Sequence, residues 1–270
     1  MILSVVIITH NEEANIGRTL ASVQPLIADG KGEIIVVDSG STDRTMEIAK
    51  SYGAKVFVEE WKGYAAQKNS AIDKGGGDWI LSLDADEEVG DGARTFVLDF
   101  TSGRLPDSFS DFDGVWFDRR NYFLGRWIRF GGFYPDPKLR LFRRGSGLFE
   151  ERTVHEDVRL NPGKSAFNPS TDYAEDEDFD LIHHSYPTLT DYIDHMNRYS
   201  SLGAEMVVAK GHRSFSPFNI VARPWATFIY NYFFRLGFLD GREGLLLHLY
   251  HATYVSWKYA KAWELSRHKK

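Results

Sequence analysis

Apolar residues in the first hundred positions form short, nearly continuous runs, separated by segments with helical periodicity. The runs cover residues 3–8, 33–37, 55–58 and 79–83, and they are rich in valine and isoleucine. Continuous apolar runs of this length predict strands that are buried on both faces, as in a parallel sheet. The alternation of these strands with helical segments predicts an α/β fold with a mostly parallel central sheet.

Polar side chains follow these runs where the predicted strands end. His10 to Glu12 follow the first run, Asp38 follows the second, and Asp84 to Asp86 follow the fourth. Ligands of such sheets bind outside the carboxyl ends of the strands, so these groups are predicted to share one ligand-binding edge. Asp84 and Asp86 would repel each other without a cation between them. Because carboxylate oxygens suit Mg²⁺ or Mn²⁺, this pair predicts a divalent-ion cofactor.

Capping residues predict where two of the helices begin. Thr9 and Glu12 have the spacing of a capping box at the start of the first helix. Ser41 is suited to cap the helix after the second strand, and Asp43 is also available for this role.

Bulk composition limits the class of protein. The chain has 270 residues, 43% of them hydrophobic, so it can bury one large core without requiring a second domain. The net charge of −6 provides no basic field, and no nucleic-acid partner is expected. The absence of cysteine excludes disulfides and fits a reducing cytoplasm. We expect neither a signal peptide nor a membrane span, because the sequence has no basic leader and no long apolar run.

The pattern changes beyond residue 100. Residues 114–117, 138–143 and 179–182 have strand character, and the last of these strands ends in two histidines. From residue 186 onward, helical periodicity dominates and predicts a helical extension.

Aromatic and basic residues are interleaved in this C-terminal extension. The aromatic residues are Trp225, Tyr230, Tyr232, Trp257 and Trp263, and the basic residues are Arg223, Arg235, Arg242, Lys258, Lys261, Arg267, Lys269 and Lys270. Interfacial helices combine these residue types, which favours reversible contact with an anionic membrane. The alternative is that the helices pack on the catalytic core, and the sequence leaves both possibilities open.

Four segments together resemble the family 2 glycosyltransferases, whose fold type is called GT-A. They are Thr-His-Asn-Glu-Glu at 9–13, Val-Val-Asp-Ser-Gly-Ser-Thr-Asp at 36–43, Gly-Tyr-Ala-Ala-Gln-Lys-Asn at 63–69 and Leu-Asp-Ala-Asp-Glu at 83–87. Two further segments, Val-His-Glu at 154–156 and Arg-Leu-Gly-Phe-Leu-Asp-Gly at 235–241, resemble the subgroup that includes lipopolysaccharide-core β-1,4-glucosyltransferases.

The resemblance implies a GT-A, Rossmann-like fold and a glycosyl transfer reaction. We expect a catalytic domain over residues 1–185, with a nucleotide-binding half at 1–100 and an acceptor half at 101–185, followed by a helical extension at 186–270. The implied reaction transfers a sugar, with inversion, from a nucleotide-sugar such as a UDP-hexose to a saccharide acceptor. The implied acceptor is the lipopolysaccharide core or another cell-envelope glycan or glycolipid, reached in the cytoplasm or at the inner face of the plasma membrane.

The resemblance also implies roles for individual residues. The nucleotide-sugar is expected to contact Thr9, His10, Glu12, Asp38, Lys68, Asp84 and Ala85. The metal ion that bridges the diphosphate is expected to bind Asp86, Glu88 and His183. The base that takes the proton of the acceptor hydroxyl is expected to be Glu156, with Asp157 in reserve.

Structural explanations remain open for several of these residues. Asp38 either accepts the imide N–H of a nucleobase or forms an Asx-turn into the next helix. Glu12 either contacts the nucleotide or completes the capping box. Lys68 either binds the diphosphate or is a solvated surface charge. Similarly, Glu156 could belong to an exposed acidic turn, and His183 could be a structural histidine at a strand end.

Two other enzymatic functions remain under consideration. A polyprenyl-phosphate glycosyltransferase has an acceptor that is already anionic, so its activity would survive neutralisation of Glu156. A nucleotidyltransferase would share the sheet and the metal-binding acids, but it should have a glycine-rich, basic loop after the first strand. The segment that follows the first strand, Thr-His-Asn-Glu, is neither glycine-rich nor basic, which counts against this function.

Overall fold

The computed structural model describes residues 2–106, 109, 111–150, 157–168, 179–211 and 215–268. The strands are β1 (Leu3–Thr9), β2 (Gly32–Asp38), β3 (Lys55–Val58), β4 (Trp79–Asp84), β5 (Glu87–Val89), β6 (Gly114–Phe123), β7 (Arg126–Trp127), β8 (Pro137–Arg143), β9 (Gly147–Phe149), β10 (Val158–Leu160), β11 (Ala166–Phe167) and β12 (Leu181–Tyr186). The helices are α1 (Ile16–Ile27), α2 (Thr45–Ser51), α3 (Tyr64–Lys74), α4 (Asp91–Thr101), α5 (Leu189–Ala209), α6 (Arg223–Ile229) and α7 (Gly241–His268).

The central sheet has a parallel part and an antiparallel part. β3, β2, β1 and β4 lie side by side and are parallel. The order continues through β8, β6, β12 and β5, where β8 is antiparallel to both β4 and β6, and β12 is antiparallel to β5. The predicted α/β class with C-terminal helices is confirmed, and the parallel part is built by the apolar runs that predicted it.

Both faces of the parallel strands are buried, which explains why the runs are continuous. Along β1, Val5 and Ile7 face the cluster that includes side chains of α1 and α4. Val6, between them, faces the opposite cluster with Ala71 and Ile72 of α3. A strand covered by helices on both faces requires apolar residues at successive positions rather than at alternate ones.

The chain divides into two compact units. The first unit comprises Met1–Arg119 and Asp136–His183, and the second comprises Arg120–Pro135 and His184–Lys270. The segment Arg120–Pro135 therefore groups with the C-terminal helices rather than with the rest of the predicted acceptor half. Apart from this segment, the second unit begins at His184, close to the start of the helical extension expected at residue 186.

The second unit is built around the long helices α5 and α7, which pack on each other. α5 begins with a capping box, because Thr188 Oγ1 accepts from the N–H of Asp191 and the Asp191 carboxylate accepts from the N–H of Thr188. Gly203 leaves room for the aliphatic chain of Lys258, since a Cβ at this position would lie 2.8 Å from Lys258 Cδ. No helix in the described part of the chain is both long enough and apolar enough to cross a membrane.

Candidate active site

The register of the parallel strands brings the predicted strand-end groups to one edge. Thr9 is paired with Asp38 across β1 and β2, and Ile8 is paired with Asp84 across β1 and β4. Because neighbouring strands are about 4.8 Å apart, Asp38 and Asp84 flank the end of β1 at about two strand spacings from each other. The carboxyl edge thus collects the acids of both motifs, as the sequence predicts.

The loop after β1 is fixed against the loop after β2 by side chain to backbone hydrogen bonds. Asn11 has a positive φ of 54°, a conformation that asparagine tolerates better than most residues. Its N–H donates to Ser41 Oγ at 2.8 Å, and its Oδ1 accepts from the N–H of Thr42 at 2.8 Å. The N–H of Glu12 donates to Thr45 Oγ1 at 2.7 Å. These contacts hold both loops at the edge in a defined conformation.

The predicted capping box at the first helix is wrong. α1 begins at Ile16 with Asn15 at the N-cap, so Thr9 is too far away to cap it. The Oγ1 atom of Thr9 is instead buried without a hydrogen-bond partner in the described structure. Glu12 accepts from Asn15 Nδ2 at 2.8 Å. Burial raises the pKa of Glu12, and the nearby negative charges, of which Asp86 contributes most, raise it further against the lowering effect of Asn15.

Ser41 does not cap α2, which begins at Thr45 with Arg44 at the N-cap and no side-chain cap there. The Oδ1 atom of Asp43 accepts from the N–H of Thr45 at 3.0 Å. Ser41 instead donates its hydroxyl to Asp38, whose other oxygen accepts from the N–H groups of Gly40 at 2.9 Å and Ser41 at 2.7 Å. Asp38 is fully buried and forms the Asx-turn that was one of its two predicted roles.

Asp84 is held between two buried cations. Lys68 Nζ lies 2.7 Å from Asp84 Oδ1, and Arg140 Nη2 lies 2.7 Å from Asp84 Oδ2. Burial by itself would raise the pKa of Asp84, but the charges of Lys68 and Arg140 outweigh it and hold the pKa well below its usual value. Only 4% of the Lys68 side chain is exposed, so the alternative of a solvated surface lysine is excluded.

Three residues of this network were not singled out from the sequence. Glu87 is fully buried and accepts from Arg140 at 2.5 Å, from Arg119 at 3.2 Å and from the N–H of Asp84 at 3.0 Å. The available signal was an arginine between the two apolar residues Leu139 and Leu141 of a predicted buried strand. A charge at such a position is almost always paired with an opposite charge.

Asp86 and His183, two of the predicted metal ligands, lie next to each other. His183 Nε2 is 3.3 Å from Asp86 Oδ2, and β5 pairs His183 with Glu87. Burial raises the pKa of Asp86, but His183 and the more distant Arg119 lower it below its usual value despite the charge of Asp84. The third predicted ligand, Glu88, lies 3.5 Å from Arg18 of α1. Among the described residues, no group of three acid or histidine side chains is assembled for a metal.

The remaining predicted site residues have simpler surroundings. His10 is exposed, and its Nε2 lies 3.3 Å from Asn11 Nδ2. Ala85 accepts from Thr19 Oγ1 at 2.7 Å through its carbonyl, which ties the motif loop to α1. Asp157 Oδ1 lies 3.7 Å from Lys138 Nζ. Glu156, the predicted base, lies outside the described residues.

Comparison with known proteins identifies the class. Over 96% of this chain and 86% of the other, the fold matches a mannosyltransferase from Pyrobaculum calidifontis, solved with GDP-Man and Mn²⁺, with a TM-score of 0.56 at 17% identity. The fold is therefore the GT-A type of glycosyltransferases. The sequence model of the family described as Glycosyl transferase family 2 matches residues 4–100.

Two relatives extend this match over most of the chain. An uncharacterized glycosyltransferase of Rickettsia typhi is 30% identical over 98% of this chain and 87% of its own length. The lipopolysaccharide core biosynthesis glycosyltransferase LpsC of Rhizobium meliloti is 31% identical over 78% of this chain and 73% of its own length. The chain belongs to glycosyltransferase family 2, and the predicted family resemblance is confirmed.

Proposed function

We propose that this glycosyltransferase moves a hexose, with inversion, from a UDP-sugar to a cell-envelope saccharide and that it requires a divalent metal ion. The observation that carries this proposal is the charged network at the carboxyl edge, where Asp84 lies between Lys68 and Arg140, and Asp86 lies against His183. A nucleotide diphosphate presents phosphate oxygens, ribose hydroxyls and a base, and this edge contains groups suited to each of them.

The Asp86–His183 pair fits a site for Mg²⁺ or Mn²⁺. Two ligand atoms at about 2.1 Å from one ion, in adjacent octahedral positions, are roughly 3 Å apart. The distance of 3.3 Å between Asp86 Oδ2 and His183 Nε2 is close to this value. Such ions commonly take one or two protein ligands and complete their shell with water and substrate phosphates. Bound there, the ion would stabilise the negative charge of the departing diphosphate.

Lys68 and Asp84 complement the donor in different ways. The Lys68 ammonium is nearly buried at the edge, where a low dielectric strengthens its attraction to a diphosphate. Asp84 is kept ionised by Lys68 and Arg140, so it remains an acceptor for ribose hydroxyls. The family resemblance supports this assignment of the ribose to the first acid and of the metal to the second.

Recognition of uracil by Asp38 is compatible with its turn. A carboxylate has about four lone-pair sites. In Asp38, three hydrogen bonds from Gly40 and Ser41 use the turn-facing positions. One of the four positions is not used by these bonds, but Asp38 is fully buried, so the imide N–H of uracil or guanine would reach it only after the side chains that cover it move.

The acceptor is proposed from a relative. LpsC, which aligns with 78% of this chain, is described as an enzyme of lipopolysaccharide core biosynthesis, and the family resemblance points to the same class of acceptor. We expect such a glycolipid acceptor to be met on the inner face of the plasma membrane. Glu156 would take the proton of its hydroxyl, with Asp157 as the reserve base.

Binding of nucleotide-sugars tests the donor and metal assignments. UDP-glucose, UDP-galactose, GDP-mannose and free UDP should be titrated by calorimetry with Mn²⁺, with Mg²⁺ and with EDTA. We expect tight binding of UDP ligands with a metal ion, and Asp86→Asn should remove the dependence on metal. Asp78→Asn is the matched control, because Asp78 precedes β4 at the opposite end of the same strand. Unchanged metal dependence in Asp86→Asn would disprove the role of Asp86.

Substitution of the proposed base separates the two enzymatic possibilities. Glu156→Gln is nearly isosteric but cannot take a proton, so turnover should fall about 10²–10⁴-fold while UDP binding stays the same. The same loss in Asp157→Asn alone would move the base by one residue. Full activity in both variants would favour transfer to a polyprenyl phosphate.

A further inference from the structure

A helical segment of the second unit exposes large apolar side chains in a regular array. It consists of a π-helical turn (Phe218–Ala222), α6 and a second π-helical turn (Tyr230–Phe234). Within it, Val221, Trp225, Ile229 and Phe233 are 57%, 62%, 43% and 54% exposed. Residues four apart are neighbours on a helix surface, so these four side chains form a continuous apolar stripe.

The apolar surface extends beyond both ends of the stripe. Phe218 is 68% exposed and Phe234 is 76% exposed, and Phe238 in the following turn is also exposed. Soluble monomers rarely expose contiguous apolar patches of more than a few hundred Å², and larger patches mark sites of interaction. We therefore infer that a binding partner covers the stripe.

The charges around the stripe identify the chemistry of that partner. Between Glu205 and Glu243 the sequence contains one acid, Asp240. Its carboxylate is 1% exposed and accepts from the backbone N–H groups of Arg129 at 3.1 Å and Phe130 at 2.9 Å, so its charge is internal. Three arginines of the same stretch, Arg223, Arg235 and Arg242, are exposed. An apolar, aromatic surface flanked mainly by cations matches an anionic lipid surface.

We propose that the apolar stripe inserts into the interfacial layer of an anionic bilayer, with Arg223, Arg235 and Arg242 at the headgroups. This inference deepens the proposed membrane-borne acceptor by defining the surface with which the enzyme reaches it. A second copy of the chain is a poorer occupant, because stripe-to-stripe contact would bring the arginines of both copies together, and the neighbouring acid Glu243 is already close to Arg126.

The structure moves the docking surface away from the end of the chain. The predicted membrane-facing residues Lys258 and Lys261 take part in the packing of α5 against α7. Lys261 Nζ binds Asn197 Oδ1 at 2.6 Å and Ser200 Oγ at 2.8 Å, and the chain of Lys258 lies over Gly203. These lysines contribute to the packing of the second unit, whereas the apolar side chains of the stripe are exposed.

Vesicle flotation with the full chain tests the proposal. Vesicles of phosphatidylglycerol and phosphatidylethanolamine should bind the protein, high salt should weaken this binding, and phosphatidylcholine vesicles should bind poorly. The double variant Trp225→Ser/Phe233→Ser should bind about 100-fold more weakly, since each buried large side chain contributes roughly tenfold. Arg242→Glu should weaken binding to anionic vesicles and leave the weak binding to neutral vesicles unchanged.

The matched control is Ile2→Ser/Leu148→Ser, which removes two apolar side chains of the first unit that are 51% and 53% exposed. This variant should bind anionic vesicles like the wild-type protein. Wild-type binding in the stripe variant, or no binding by the wild-type protein, would overturn the proposal. A dimer in sedimentation that the stripe variant converts to monomer would assign the stripe to a second copy instead. UDP titration of every variant shows whether a variant that no longer binds vesicles still binds UDP. Loss of vesicle binding is thereby distinguished from failure of the proposed donor site.

Discussion

A buried acid of the first unit and a buried histidine of the second unit have opposite surroundings. In the first unit, the buried charge of Glu87 is matched by Arg119 and Arg140, and Asp84 remains ionised beside Arg140. In the second unit, the imidazole of His248 is 1% exposed, and neither of its ring nitrogens has a hydrogen-bond partner in the described structure. Charges that are already arranged in the free protein suit the binding of a charged ligand. A buried neutral ring without a hydrogen-bond partner, in contrast, makes the stability of the second unit sensitive to protonation.

The surroundings of His248 explain why it stays neutral. A Cβ at Gly131 would lie 2.0 Å from the ring, and a Cβ at Gly237 would lie 2.2 Å from it, so only glycine allows the backbone to approach so closely. Phe133 and Tyr232 contribute aromatic rings at centroid distances of 5.7 Å and 6.2 Å. Burial in this apolar environment lowers the pKa of His248 to about 4.

The largest effect on the free energy of unfolding is expected when a buried cation of the first unit is removed. In Arg140→Met, the buried Glu87 keeps only Arg119 as a cationic partner among the described contacts. Asp84 also loses one of its neighbouring cations. Loss of one partner from a buried ion pair costs about 3–5 kcal/mol, because the remaining charge cannot be solvated. Urea denaturation should show this loss in the free energy of unfolding.

Arg140→Lys separates charge from geometry in the same network. It keeps a positive charge but cannot reproduce the position of Arg140 Nη2, which contacts both carboxylates, so an intermediate loss of stability is expected. A free energy of unfolding for Arg140→Met within about 1 kcal/mol of wild type would show that the network is not stabilised by pairing. In that case the contrast between the two units would disappear.

The second largest effect is expected on the stability of the second unit, which should depend on pH. Because the pKa of His248 falls from 6.5 to about 4 on folding, the unfolded chain binds a proton between these values that the native chain does not. Stability is therefore complete above pH 6.5 and decreases as the pH falls towards 4, by up to about 3 kcal/mol. Asp84 and Asp86 have lowered pKa values, so their contribution is lost only at still lower pH.

Hydrogen exchange at several pH values measures this difference unit by unit. Protection in α5 and α7 should decrease at a higher pH than protection in β1 and β4. His248→Leu should reduce the pH dependence of stability in the second unit. A change in packing, in contrast, would shift the stability by the same amount at every pH. The residual dependence should come from His251, whose pKa is lowered to about 4, mainly by burial. Simultaneous loss of protection in both units would contradict the comparison.

Sequence patterns predicted the first unit better than the second, for a physical reason. Parallel strands need apolar side chains at successive positions, and their carboxyl ends meet at one edge, so the position of Asp38 beside Thr9 followed from sequence alone. The Arg140–Glu87 pair joins residues that are far apart in sequence, and no local spacing indicates it. In the C-terminal helices, composition suggested membrane contact but could not tell that Lys261 packs against α5 while Trp225 is exposed.

Lys68→Met should have a moderate effect on UDP binding, and it should also lower the free energy of unfolding, because Lys68 is a buried ion-pair partner of Asp84. Methionine has a similar length but removes the charge, and with it the cation–π contact of Lys68 Nζ, which lies 5.0 Å from the centre of the Phe149 ring. Loss of a hydrogen bond to a charged group costs about 1.5–3 kcal/mol, so the dissociation constant for UDP should rise roughly 10- to 100-fold. Lys74→Met is the control on the same helix, because Lys74 pairs with Glu59 and should not affect UDP binding. Equal affinities in both variants would remove Lys68 from the donor site.

The smallest effect is expected from an exposed ion pair in the second unit. Arg126 Nη1 lies 3.9 Å from Glu243 Oε2, and their side chains are 47% and 30% exposed. Water screens such a pair, and ordering two long side chains offsets most of its attraction, so Arg126→Gln should change the free energy of unfolding by less than about 1 kcal/mol. The remaining difference should shrink further in high salt. A loss as large as that of Arg140→Met would mean that exposure does not distinguish the ion pairs of the two units, because an exposed charge would then stabilise the protein as strongly as a buried one.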